Sequence, residues 1–388
     1  VSVDHPPLRA YPAFLEAWRL ARAGVAPAAL EADVQALSDR FTCARPERFG
    51  DYFADPRARA AYGLFFFPQS FVRTRLPLAE LMELRGWTCG THPRVLDVGA
   101  GLGACGLGAA LLLRERGGAQ QVALSAIDHS PAALEDLRTL YAHNAAQLSG
   151  VSLEKTFART LPAFLKKPTE AGGPYDLIVA GFALNEVWAG WSPTRRMESL
   201  ESLAQLLSPN GILLVLEPAL KETALPLQEL SDAVSSAKLL HRWGPYAGEF
   251  PCPLRAGGKY WAHEVRTWTA PESLAVLNRR LWREIGELKF HWAAWGRTPP
   301  PTQEETPCLR LCTPFAKLKG RFEWGGVTPH GSLIRGDLPL RHLSKEEERA
   351  CETIERGDTL FFKTFEKLDE NRWRIASPAD IARRYSPR

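Results

Sequence analysis

The stretch that most constrains this 388-residue chain is RVLDVGAGLG, Arg94 to Gly103, followed at once by ACGLGAALLLRER. An apolar run carrying one acid, then glycines at alternate positions, then a helix-forming segment predicts a strand, a tight turn and a helix in succession. Glycines at such a turn let backbone pass close to a ligand, and the helix N-terminus beyond them favours polar or anionic groups. Downstream the texture keeps alternating: VALSAID, PAALEDLRTLYAHNAAQ, YDLIVAGFAL, RRMESLESLAQLLS, GILLVLEP. Strand and helix in regular turn predict an α/β fold, a Rossmann-like parallel sheet covered on both faces.

Two signals define the expected cofactor site. One is the loop itself, Asp97, Gly99, Gly101 and Gly103; the other is Asp128, which ends the second strand where an acid accepts both hydroxyls of a ribose. Together they resemble the class I S-adenosylmethionine (SAM) methyltransferases, and that resemblance places Asp97 near the amino-acid end of SAM. Gly99, Gly101 and Ala104 also satisfy the dinucleotide pattern G-x-G-x-x-[GA], so a nicotinamide cofactor is the competing reading. The fourth strand carries Asn185 and Glu186 to the carboxyl edge of the sheet, which makes them the catalytic candidates. A helix cap for Asn185 and a solvent-facing carboxylate for Glu186 are the alternatives. The [DN]-P-P-[YFW] tetrapeptide of many base N-methyltransferases is missing from this strand.

Apolar residues at three- and four-residue steps (Phe14, Trp18, Leu30, Val34, Leu37) predict an N-terminal helical region over 1–90. The sheet domain is expected over 91–298 with an insertion near 244–287. Past the proline-rich TPPPTQEET, GRFEW, GSLIRG, TLFFKTF and NRWRI read as strands, so 299–388 is expected to be a β-rich extension. No apolar run approaches the ~18 residues of a membrane span. Seven scattered cysteines without a C-x-x-C pair argue against a disulfide framework. Both features suit an intracellular, soluble protein of the cytoplasm, or of the mitochondrial matrix given that position 1 is valine and leaves room for a removed leader. The net charge of +4 diagnoses no partner. Its distribution says more: Pro251 to Pro300 holds eight Lys/Arg against four Glu, with five of the twelve tryptophans. Cations attract phosphates and aromatic faces stack on unpaired bases, so this window is the expected RNA-facing surface, with a solvated helix face over core tryptophans as the plainer reading.

DYFADPRARAAYGLFFFPQSF, YDLIVAGFALNEV, LLVLEPALKE and LKFHWAAWGR resemble, over most of the chain, the methyltransferase-like assembly proteins of the small ribosomal subunit, a family with mitochondrial and bacterial members. The resemblance implies association with small-subunit ribosomal RNA, either as a methyltransferase or as a non-catalytic assembly factor that binds SAM. A small-molecule methyltransferase, with the N-terminal helices as a lid, is the rival. The same resemblance implies an iron-sulfur cluster held by four cysteines. Here Tyr246 stands at the first of those positions, Cys252 at the second, Ala262 at the third and Cys312 at the fourth. With two ligands missing, a zinc site from Cys252, His263, Cys308 and Cys312 is the metal alternative, and a metal-free loop the other.

Overall fold

The computed structural model describes residues 7–47, 49–246, 248–255, 261–282, 285–301 and 307–387. Three helices lead in: α1 (Ala13–Ala23), α2 (Glu31–Phe41) and α3 (Pro56–Glu83). Asp55 caps α3 by accepting the Arg57 amide at 2.9 Å, and Pro56 sits at its first position, where a missing donor costs nothing. Buried along most of its length, α3 runs against α4 (Ala104–Glu115). Gly108 permits the contact, since a Cβ there would stand 2.6 Å from the Phe71 carbonyl oxygen.

The main sheet comprises β1 (Arg94–Val98), β2 (Val122–Asp128), β3 (Val151–Ala158), β4 (Tyr175–Gly181), β5 (Leu207–Pro218), β6 (His241–Gly244), β7 (Glu264–Thr267) and β8 (Glu287–Gly296). Between them lie α5 (Pro131–His143), α6 (Leu161–Leu165), α7 (Leu184–Val187), α8 (Pro193–Ala204), α9 (Lys221–Ser236) and α10 (Glu272–Arg280). The strand order is β3-β2-β1-β4-β5-β8-β6. The first five strands run parallel and β8 antiparallel between β5 and β6. That order, with its reversal between β1 and β4 and its one inverted inner strand, is the class I methyltransferase sheet. The expected insertion contributes β7, which pairs with the first half of β8 while β6 pairs with the second. Successive residues such as Val95 and Leu96, or Leu214 and Leu213, enter opposite apolar layers, so the central strands are buried on both faces.

The C-terminal part is a second sheet: β9 (Cys308–Leu311), β10 (Ala316–Leu318), β11 (Arg321–Val327), β12 (Leu333–Pro339), β13 (Thr359–Phe362), β14 (Glu366–Asp369), β15 (Arg372–Arg374) and β16 (Ile381–Tyr385), with α11 (Lys345–Glu352) between β12 and β13. It packs its own core around Phe322, Trp324, Leu338 and Phe362. A buried ionic clasp fastens it to the rest. Arg310 of β9 bonds Glu80 of α3 and, at 2.6 Å, Glu264 of β7. Arg266 joins Glu264 to Asp358, and Arg9, ahead of α1, holds Glu355 at 2.6 Å. Among the described residues no helix is long and apolar enough to cross a membrane.

Candidate functional site

A cleft of about 1110 Å³ opens at the carboxyl ends of β1, β2 and β4. Its volume lies just above the roughly 300–1000 Å³ usual for a ligand pocket. Its floor is the glycine loop. The amides of Gly99 and Ala100 both donate to the Ile127 carbonyl, at 2.8 and 2.9 Å, which ties the loop to the end of β2. Gly99 and Gly101 line the cleft with φ of 70° and 51°, a backbone that side-chain-bearing residues avoid. A Cβ on Gly99 would lie 2.2 Å from that of Ala183. Gly103 stands behind, at the N-cap of α4, where a Cβ would strike Leu137.

The two acids of the motif play different parts. Asp128 lies on the cleft wall with its carboxylate anchored by two amides at 2.8 Å, those of Gly101 and Ser130. Each oxygen keeps a lone pair for a ligand. Asp97 does not line the cleft; it is buried behind the loop, one oxygen accepting the Gly106 amide at 2.8 Å and the other without a partner among the described residues. Burial pushes its carboxyl up to about 7. It therefore pins the loop to α4.

Asn185 and Glu186 also part company. Asn185 is spent on structure: its amide donates to Glu217 at 2.8 Å, its side chain donates to Glu217 and Phe182, and Arg45 donates to its oxygen. It is absent from the cleft wall. Glu186 lines the cleft, and among the described residues no hydrogen bond or ion pair reaches its carboxyl. Burial pushes it up to about 8, against the pull of the Arg45 charge. Phe182, just before, holds a left-handed φ of 62°, strain that places the β4–α7 turn against the cleft.

The opposite wall comes from the N-terminal region, which the small-acceptor reading cast as a lid without naming its residues. Phe49, Tyr52, Phe53 and Tyr62, from the segment between α2 and α3 and the start of α3, cover the cleft as an aromatic lid. DYFADPRARAAYGLFFF carried them, but periodicity signals burial without saying what is buried against what. Glu217 was missed as well. An acid ending an apolar strand is the signal Asp128 gave, and LLVLEP repeats it. Arg159, Arg195 and Trp191 stand on the cleft's rim, the Arg195 guanidinium 3.9 Å from the Trp191 ring centroid.

Among the described residues no group of three or more His, Cys, Asp or Glu is placed to hold a metal. The proposed zinc set divides. Cys252 and Cys312 share a small apolar cluster with Tyr246 and Ala262. Cys308, on β9, takes part in neither that cluster nor a metal group, and His263 leans on the Trp261 carbonyl at 3.2 Å. The four positions matched to the iron-sulfur ligands do converge, but a phenol and a methyl occupy two of them, and neither is a cluster ligand. The residues do not fit that group.

The basic aromatic window likewise does not form one face. Trp292 and Trp295 lie in the core because β8 is covered on both sides, and Trp268 is buried. Trp282 alone of the five is fully outside, 94% exposed. Arg266 belongs to the clasp, Arg255 pairs with Asp232, Arg279 with Glu272, Arg280 with Glu31 and Lys289 with Glu287. Arg297 donates to the carbonyls of Ala204 and Gln205. Lys259 and Arg283 lie outside the described residues.

The chain matches no family model and no curated protein. Among solved structures it is similar to a SAM-dependent methyltransferase from Agrobacterium tumefaciens (15% identity, 60% of this chain and 63% of that one, TM-score 0.36). It is also similar to the plantazolicin methyltransferase BpumL in complex with SAH (13%, 70% and 98%, 0.36) and to an O-methyltransferase family protein from Burkholderia thailandensis (17%, 70% and 72%, 0.37). The chain thus spans under two thirds of the first of these. The likenesses are loose, and the fold stands on the strand order.

Proposed function

We propose that this chain is a SAM-dependent methyltransferase whose acceptor is RNA of the small ribosomal subunit. The observation that carries the cofactor is the Asp128 carboxylate, held by the Gly101 and Ser130 amides beside a glycine loop that opens onto the cleft. Asp128 would receive the ribose hydroxyls, and Gly99 and Gly101 would let the amino-acid part approach the backbone. SAM, when bound, supplies an electrophilic methyl group. The aromatic lid excludes water from the acceptor, and Glu186, unpartnered on the facing wall, takes the proton that the acceptor gives up. Arg195 beside Trp191 offers a phosphate and a base the contacts they need, with Arg159, paired to Glu170, on the same rim. The resemblance of four sequence segments to small-subunit assembly proteins supports the same acceptor.

A small-molecule acceptor is the second reading, favoured by the pairing of the basic window and by the closeness of the lid. Labelled methyl transfer from SAM, offered to immature small subunits and to a small-molecule extract, separates the two. Label in RNA upholds the proposal. Label in the extract replaces it with the small acceptor, and no label with SAM binding intact replaces it with a non-catalytic assembly factor. Asp128→Ala should weaken SAM by about 100-fold, roughly 2.7 kcal/mol, in calorimetry; unchanged affinity would remove the cofactor site from this cleft. Since Glu186 must be ionised to act as base, turnover should rise with pH through about 8, and Glu186→Gln should flatten that limb.

A further inference from the structure

A second, smaller cavity of about 150 Å³ lies between α1 and the start of α3, walled by Ala23, Ala60 and Gly63, and three arginines converge on it: Arg19, Arg22 and Arg59. One carboxylate, Asp136 of α5, stands among them and pairs with two. Arg22 bonds its Oδ1, and Arg59 approaches its Oδ2 at 3.6 Å. Arg19 is 3% exposed, with its guanidinium stacked 3.9 Å from the centroid of Phe67 and one terminal nitrogen donating to the Leu102 carbonyl at 3.1 Å. Its Nε is buried and without a hydrogen-bond partner among the described residues. The neighbouring acids are engaged elsewhere: Glu16 accepts the Ser273 amide and Asp33 pairs with Arg57.

Three guanidinium groups around one carboxylate leave two positive charges in a partly buried space, an arrangement that costs stability unless an anion completes it. The small residues leave the space open where larger side chains would have filled it. Guanidinium forks match the oxygens of a phosphate, and a tetrahedral oxyanion presents an acceptor to each of three donors arriving from different sides. Burial lowers the Arg19 pKa to about 10, still far above neutrality, so Arg19 is charged when a ligand arrives.

We propose that Arg19, Arg22 and Arg59 form a phosphate-binding site separate from the cleft, taking either free phosphate or a backbone phosphate of RNA. The site is tied to the cofactor region at two points. Arg19 donates to Leu102 within the glycine loop, and Arg59 donates to the carbonyl of the lid residue Phe53. The inference does not depend on SAM: a chain that binds phosphate and not SAM leaves it standing and removes only the proposed function.

The test is calorimetric titration of the full chain with orthophosphate, with chloride at matched ionic strength as control. Saturable phosphate binding is expected, weakened tenfold or more in Arg22→Gln and in Arg59→Gln. Asp136→Asn, which removes the competing carboxylate, should tighten it several-fold, a gain that a purely structural role would not produce. Thermal unfolding of each variant shows that it is folded. No heat beyond the chloride control, or equal affinity in the wild type and both arginine variants, would overturn the site. A single-stranded RNA oligonucleotide then names the source. Displacement of bound RNA by orthophosphate assigns the backbone phosphate, and orthophosphate binding that leaves RNA untouched assigns the free anion.

Discussion

The cleft and the clasp are made of the same unusual material, buried carboxyl groups, and treat it in opposite ways. In the cleft region burial outweighs the Arg45 and Arg40 charges at Glu186, the Asn185 hydrogen bonds at Glu217 and the Gly106 amide at Asp97, and lifts Asp97, Glu186 and Glu217 to about 7, 8 and 8. In the clasp Glu264 and Glu355 suffer the same burial, but it is outweighed, by Arg310 and Arg266 for the first and by Arg9 and Thr267 for the second, and both sit at about 2. A carboxyl left to titrate near neutrality is available for chemistry, and one locked in its charged form serves only to join segments. Of these three, Glu186 lines the cleft, while Asp97 and Glu217 are tied to the Gly106 and Asn185 amides.

The contrast is sharpest in the clasp's stability. Arg310→Ala removes the cation shared by Glu80 and Glu264, leaving Arg85 3.4 Å from the first and Arg266 3.0 Å from the second, and should cost about 3–5 kcal/mol in urea unfolding. A loss below about 1 kcal/mol would mean that the clasp is solvated and the contrast is gone. The two regions should also respond to pH with opposite signs. Cleft carboxyls whose folded values lie above the ordinary 4.5 bind extra protons in the native state, so their contribution falls as pH rises toward about 8. Clasp carboxyls whose folded values lie below it contribute fully above about 4.5 and lose that contribution as pH drops toward about 2. Glu217→Gln should therefore recover on the order of 2 kcal/mol of the stability lost between about pH 5 and pH 8, while leaving the acid limb alone. Glu264→Gln should do the reverse, making the acid limb shallower. The smallest effect belongs to the cysteine cluster. Cys312→Ala should cost only about 1 kcal/mol, the ordinary price of a small buried substitution, and the metal content of purified protein should be the same, and substoichiometric, with and without it. Stoichiometric iron or zinc lost with Cys312 would put a metal where Tyr246 and Ala262 leave no ligand.

What the sequence made legible follows the range over which each constraint acts. The glycine loop is a local demand of backbone geometry, and the Arg94–Glu115 segment alone shows it. The alternation of strands and helices is local too, and so the α/β sheet, the N-terminal helices and the β-rich extension could all be expected. Asn185 is different: the partners that make it structural, Glu217 and Arg45, lie 32 and 140 residues away. Nothing near Asn185 announces them. The tryptophan-rich window misled for a related reason, since an antiparallel strand in the middle of a covered sheet buries Trp292 and Trp295 on opposite faces and leaves no outer side to display them. The metal positions show the limit of matching by segment. Their convergence depends on the fold, and their chemistry on two side chains that this chain has replaced.

The clasp also sets an order of events during synthesis. Arg9 meets Glu355 across 346 residues, and Glu80 meets Arg310 across 230. When the methyltransferase sheet has left the ribosome and collapsed, Glu80 and Glu264 are still without Arg310, and Arg9 is without Glu355. Chains fold from the N-terminal side as they emerge, and contacts between distant segments form last. At that stage the cleft-bearing sheet is unfastened, with Arg85 the remaining cation at Glu80 and Arg266 the remaining cation at Glu264 on the surface that β9 will cover. Only translation of the final strands converts it to the closed molecule.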